Sequence, residues 1–127
     1  MIFTVGVNTH AVDRYMGLAR VAVERPDRLA SEVEWAFAPG AVLESGAGRV
    51  VGREAILDFY RGRAAGFEEV RHVWLITETN DRAFKVAWAG VRRRPGDVVV
   101  AGCGVDRVVT DDAGQIVAAW NEFTMPS

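Results

Sequence analysis

The spacing of apolar residues changes period once along this chain, near Glu69, and that change separates a helical part from a sheet part. Before it, Ala11, Tyr15, Leu18 and Ala22 recur every three or four residues, one stripe of a helix with Asn8 or Thr9 as its N-cap. Pro26 breaks the stripe and suits the first turn of a second helix, where Leu29, Val33, Ala36 and Phe37 repeat the spacing until Pro39-Gly40 stops it. A short apolar segment (Ala41-Val42-Leu43) and a glycine-punctuated loop (Ser45-Gly46-Ala47-Gly48) lead to a third helix after Gly52, with Ile56, Phe59, Tyr60 and Arg63 along one side. After Glu69 the period is two. Residues 69–79, 83–92, 97–110 and 115–123 read as four strands of a meander, joined by turns at Asn80-Asp81, Pro95-Gly96 and Asp111-Asp112-Ala113-Gly114. Three helices followed by an antiparallel sheet give the α+β class, with the helices on one face and no internal domain boundary, so that 1–127 is one domain.

The third of these strands constrains the assembly. Val98, Val100, Gly102 and Gly104 share one face, and Val99, Ala101, Cys103 and Val105 the other. Both faces are apolar, so both need cover. Helices cover only the concave one. A second subunit is expected on the convex one, giving a homodimer.

Composition removes several function classes. Fifteen basic against 17 acidic residues leave a net charge of −2, which invites neither nucleic acid nor an anionic membrane. The longest stretch without a polar side chain, residues 98–105, is too short to span a bilayer. Cys103 is the single cysteine, which excludes an internal disulfide and suits a reducing compartment. The opening MIFTVGVNTH has neither a basic n-region nor a long apolar h-region, so a cytoplasmic protein is expected. No histidine, cysteine or acidic residues stand at ligand spacing, so no metal site is expected, and no cofactor motif occurs. Arg92-Arg93-Arg94 precedes Pro95-Gly96 and reads as a solvated hairpin tip.

Asp106 carries the most information. It shares the face of Val100, Gly102 and Gly104 inside the most apolar strand. A carboxylate there is costly unless paired, so its pKa should rise, and a protonated acid in an apolar pocket is a strong donor to a developing oxyanion. The alternative is that Asp106 reaches solvent or an arginine at the strand end. Tyr15 and Tyr60 fall on the buried stripes of their helices, either as packing residues or with hydroxyls aimed beside Asp106. His72 shares its strand face with Val70, Trp74 and Ile76, as a core residue or a pocket base.

These residues carry a family resemblance. Phe37-Ala-Pro-Gly-Ala-Val-Leu-Glu-Ser45, Val51-Gly-Arg-Glu-Ala-Ile-Leu-Asp-Phe-Tyr60 and Gly104-Val-Asp-Arg-Val-Val-Thr-Asp-Asp-Ala-Gly-Gln-Ile116 are similar to segments of Δ5-3-ketosteroid isomerase. The wider group is the NTF2-like superfamily, with its SnoaL-like polyketide cyclases. The resemblance implies a cone of three N-terminal helices packed on a curved antiparallel sheet. It also puts Asp106 on the oxyanion-hole acid, Tyr15 on the oxyanion-hole tyrosine and Tyr60 on the supporting tyrosine. Ser45 stands where the isomerases carry the general-base aspartate, and a hydroxyl cannot shuttle a proton at neutral pH unaided. Two replacements are open: His72, whose position should face the pocket, or Asp106 itself, as an aspartate acts in the SnoaL-like cyclases. Val86, Trp88, Gly102, Gly104, Asn121 and Phe123 are expected to line the pocket, with the two glycines adding room.

The expectation is a cofactor-free acid–base enzyme, an isomerase, cyclase or dehydratase acting on a small hydrophobic polycyclic, polyketide-like or steroid-like carbonyl compound. The alternative is a ligand-binding or accessory protein that kept the pocket and lost the base.

Overall fold

The computed structural model describes residues 10–124, in the order α1 (His10–Glu24), α2 (Pro26–Ala36), β1 (Phe37–Ser45), β2 (Gly48–Val51), α3 (Arg53–Ala64), β3 (Glu69–Asn80), β4 (Ala83–Arg94), β5 (Val98–Thr110) and β6 (Ile116–Thr124). The expected N-cap at Asn8 or Thr9 lies outside the described residues.

Helix α1 buries Ala11, Tyr15, Leu18 and Ala22, together with Val12 and Met16, which widen the stripe. Arg25 alone separates it from α2, and Pro26 opens α2, where its missing N–H leaves no intrahelical bond unmade. The two helices form a hairpin clamped on its exposed side by Arg14, whose guanidinium reaches both carboxylate oxygens of Glu32 at 2.7 and 2.8 Å. Gly52, at φ 92°, adopts the left-handed backbone that turns the chain into α3.

Helix α2 ends at Ala36 rather than at Pro39-Gly40. Phe37, wholly buried, is already strand, and Pro39-Gly40 lies inside β1 where the pairing shifts register between Phe37 and Val42. Proline has no N–H for the ladder, so it sits where the ladder is interrupted. The apolar segment and glycine loop after it form a hairpin, β1 with β2, that extends the expected four-stranded meander to a six-stranded sheet of order β2-β1-β6-β5-β4-β3. Helix α3 therefore follows two strands instead of preceding the sheet. The β1–β6 pair is parallel, while the others are antiparallel.

Register shifts between Ile76 and Glu78 and between Val109 and Thr110 bend the long strands. The concave side carries Val70, Phe84, Val86, Trp88, Asp106, Val108 and Ala119, all buried beneath the helices, and Leu18, Leu29, Ile56 and Phe37 complete the core. Among the described residues nothing covers the convex side, where Val73, Leu75 and Val99 are 71%, 68% and 62% exposed. No helix among the described residues is long and apolar enough to cross a membrane.

Candidate active site

Side-chain alternation on β4 and β5 sends Trp88 and Asp106 to the concave face, and α1 and α3 lay Tyr15 and Tyr60 across it. Asp106 is 1% exposed, and three elements converge on its carboxylate. The Trp88 indole N–H (3.0 Å) and the Asn121 amide (2.8 Å) both donate to Oδ1, and the Tyr15 hydroxyl donates to Oδ2 at 2.7 Å. Burial pushes the Asp106 carboxyl above its ordinary value, and the bonds from Tyr15, Asn121 and Trp88 oppose that rise without cancelling it. Indole and amide N–H groups only donate, so Oδ1 is occupied as an acceptor and the titrating proton belongs on Oδ2. That oxygen is shared with Tyr15. An ionised Asp106 accepts from the Tyr15 hydroxyl. A protonated one holds the tyrosine O–H less strongly and releases it for another acceptor.

A pocket of about 690 Å³, counting its open mouth, lies against this group. Tyr15, Tyr60, His72, Trp88, Asp106 and Asn121 line it, and Met16, Leu43, Phe59, Phe67 and Val70 supply apolar wall. Burial, and then the nearby Tyr60 and Asp106 respectively, drives the Tyr15 and Tyr60 hydroxyls well above the ordinary tyrosine range, so both are neutral donors. The Tyr60 hydroxyl takes no hydrogen bond among the described residues. His72 tilts against Trp88 with ring centroids 5.5 Å apart. Both its nitrogens are shut off from solvent and have no partner in hydrogen-bond geometry, although the Met16 backbone lies close enough to favour the protonated ring. Burial, and then the charge of Arg92, outweighs that and lowers its pKa. The ring fits because residue 90 is glycine: a Cβ there would meet His72 Cδ2 at 2.1 Å.

Four expected wall residues lie elsewhere or play another part. Val86 is fully buried in the core, paired with Asp106 across the β4–β5 ladder, and does not line the pocket. Gly104 opens no room for a ligand, because the Trp88 ring and the Glu122 carbonyl fill its space; a Cβ would stand 2.8 Å from one and 1.9 Å from the other. Gly102 borders an adjoining hollow beside Arg63, Arg92 and Arg94. Ser45 does not line the pocket. Its Oγ accepts the Ala47 N–H at 3.2 Å and stabilises the β1–β2 turn. The side chain of Phe123 lies outside the described residues. Trp88 and Asn121, expected only as wall, also hold Asp106.

Arg92 is not a solvated hairpin tip. Strand β4 continues through Arg94, and Arg92 turns into the pocket beside Arg63. The signal was present, since residues 88, 90 and 92 share a face under the period-two rule. No group of histidine, cysteine and acidic residues that could hold a metal occurs among the described residues.

No family model and no curated protein matches the sequence. Solved structures match the fold. An NTF2-like protein of unknown function from Exiguobacterium sp. 255-15 superposes with a TM-score of 0.75 at 19% identity, over 90% of this chain and 98% of that one. A proposed SnoaL-like polyketide cyclase from Jannaschia sp. CCS1 gives 0.76 at 15%, over 97% and 91%. A protein of ketosteroid isomerase-like fold from Catenulispora acidiphila, solved with trimethylamine, gives 0.69 at 16%, over 91% and 85%. The architecture is thus an α+β cone with a buried acid at the floor of its pocket. It is the NTF2-like fold, shared with SnoaL-like and ketosteroid isomerase-like proteins.

Proposed function

We propose that this chain is a cofactor-free acid–base enzyme of isomerase, cyclase or dehydratase type acting on a small apolar carbonyl compound, with Asp106 as the proton-transfer group. One observation carries the reading: Asp106 lines the pocket with Oδ1 saturated by two fixed donors and Oδ2 shared with a single hydroxyl. A carboxylate oxygen has a second lone pair, so Oδ2 can take a proton from a carbon next to the substrate carbonyl. The C–H electron pair passes into an enolate. As Asp106 becomes protonated its hold on the Tyr15 O–H weakens, and that hydroxyl turns to donate to the enolate oxygen, with Tyr60 beside it, while the new proton stays on the substrate side of Oδ2. Return of the proton from Oδ2 to another carbon completes an isomerisation with no net change in atoms. His72 is the other candidate base, but its occluded nitrogens favour Asp106 in that role and leave His72 as a neutral wall residue.

Among the residues lining the pocket, Asp106 is the one carboxylate, and Ser45 is engaged in a turn. This favours a second reading, a binding or accessory protein that holds the same ligand class without turning it over. Incubation with 1-tetralone in deuterium oxide separates the two. Enzyme-dependent deuterium incorporation next to the carbonyl, abolished in Asp106→Asn, supports catalysis. Binding without incorporation across a panel of such ketones supports the second reading.

The same reading includes a homodimer in the cytoplasm. The unpaired thiol of Cys103 and the apolar convex face, with Val73, Leu75 and Val99 exposed and no helix over them, support it. A monomer by sedimentation at micromolar concentration would rule the dimer out.

A further inference from the structure

Two arginines stand in the pocket wall without a counter-ion. Arg63, on α3, and Arg92, on β4, border both the main pocket and the adjoining hollow, so they sit where the two meet. Among the described residues neither has a carboxylate partner. The acids nearest in sequence have other partners: Asp58 pairs with Arg61 at 3.9 Å, and Glu68, Glu69 and Asp97 with Arg93, on the opposite strand face, at 2.7, 3.4 and 3.6 Å. Both guanidinium groups are only partly exposed, and they lie close enough for Arg63 to make Arg92 less basic, after burial itself. Two like charges close together at a partly buried position are unfavourable unless something negative joins them.

The fold nevertheless fixes them in place. Arg63 stacks over Phe59 at 5.4 Å and Arg92 over Phe67 at 5.3 Å, with Arg94 on Phe67 as well at 5.4 Å. Stacking on the ring face leaves the N–H edges of a guanidinium free, and those edges match the two oxygens of a carboxylate. The unengaged Tyr60 hydroxyl adds a neutral donor nearby. The chain as a whole is negative, so a preference for anions would have to come from this corner.

We propose that the pocket's ligand carries a carboxylate, received by Arg63 and Arg92, while its carbonyl end meets Asp106 and Tyr15. This rests on the reading of the pocket as a site for small apolar carbonyl compounds and adds the second pole of the substrate. Asp106 stands opposite Val86, six residues from Arg92 on one face of β4, about 20 Å at the rise of a strand before either side chain reaches inward. Allowing for the reach of the arginine, the ligand's two polar ends lie on the order of 10 Å apart.

The probe pair is 6-acetyl-2-naphthoate and its methyl ester, which differ in the charge at one end and share the ketone at the other. Calorimetry on the full chain should find the acid bound at least about tenfold more tightly than the ester, as expected of charge-assisted hydrogen bonds. In the Arg63→Gln/Arg92→Gln double variant the ratio of acid to ester affinity should fall to about one. If that variant fails to fold, the same distinction comes from salt, which should weaken the acid and spare the ester in the native chain. Acid and ester binding alike would overturn the carboxylate site and leave the pocket reading standing, as would an acid preference that survives the double variant. Failure of both to bind would remove the pocket reading and this inference with it.

Discussion

Replacing Tyr15 by phenylalanine removes one oxygen atom and leaves the ring in its edge-to-face contact with Phe37, 5.9 Å between centroids. What is lost is the 2.7 Å bond to Asp106 Oδ2. A hydrogen bond to an ionised group contributes about 1.5–3 kcal/mol, so the variant should be less stable by that amount wherever Asp106 is charged. The pH dependence has a definite sign. Burial raises the Asp106 pKa, so the folded chain holds this proton more tightly than the unfolded one. Its contribution to stability is fully present below the unfolded carboxylate value and is lost as pH rises through the folded value. The Tyr15 bond is the largest of those opposing burial, and its removal raises the folded value further. The penalty should therefore grow as Asp106 ionises. It should be smallest in acid, where the protonated group loses only a neutral bond of about 1 kcal/mol. Urea unfolding of both proteins across a pH series measures the penalty, and carboxyl carbon NMR of Asp106 reads the shift. A penalty that is flat with pH, or a downward shift of Asp106, refutes the reasoning.

Three further outcomes are expected. Gly104→Ala should cost about 3 kcal/mol in chemical denaturation, because the added methyl meets the rigid Glu122 carbonyl; a loss under about 1 kcal/mol would mean that β6 is free to move away. Gly90→Ala should push the His72 ring from its slot into the pocket and so bring its pKa back up, seen by imidazole NMR; an unmoved titration would show that burial in that slot is not what lowers it. Ser45→Ala should leave ligand affinity unchanged and cost about 0.5–1 kcal/mol of stability through the lost turn bond, whereas an affinity change of tenfold would return Ser45 to the site.

The fold was legible where one signal dominated. The stripe Ala11, Tyr15, Leu18 and Ala22 is buried as its spacing required, and strands β3 to β6 begin and end within two residues of the positions set by alternation and by the Asp and Gly turn residues. Legibility failed at residues 37–51. There β1 carries a proline and a glycine and β2 is four residues long, too short for a period to show. Their identity as strands depends on pairing with each other and, for β1, with β6, whose partner residues lie about 75 positions away.

The site shows the same division more sharply. Alternation was enough to put Asp106 on the inner face and to mark an ionised acid there as costly. It said nothing about how that cost is met, because the three donors come from α1, β4 and β6, and Tyr15 is 91 positions from the residue it touches. Trp88 shows why composition misleads on this point. Judged by size it is wall, and only its tilt toward the space left by Gly104 brings the indole N–H to Oδ1. Once Trp88 and Asn121 hold that oxygen, the proton has one remaining place, and Tyr15 is the group that must respond when it arrives. The chemical character of Asp106 therefore depends as much on a glycine that carries no functional group as on the tyrosine that does.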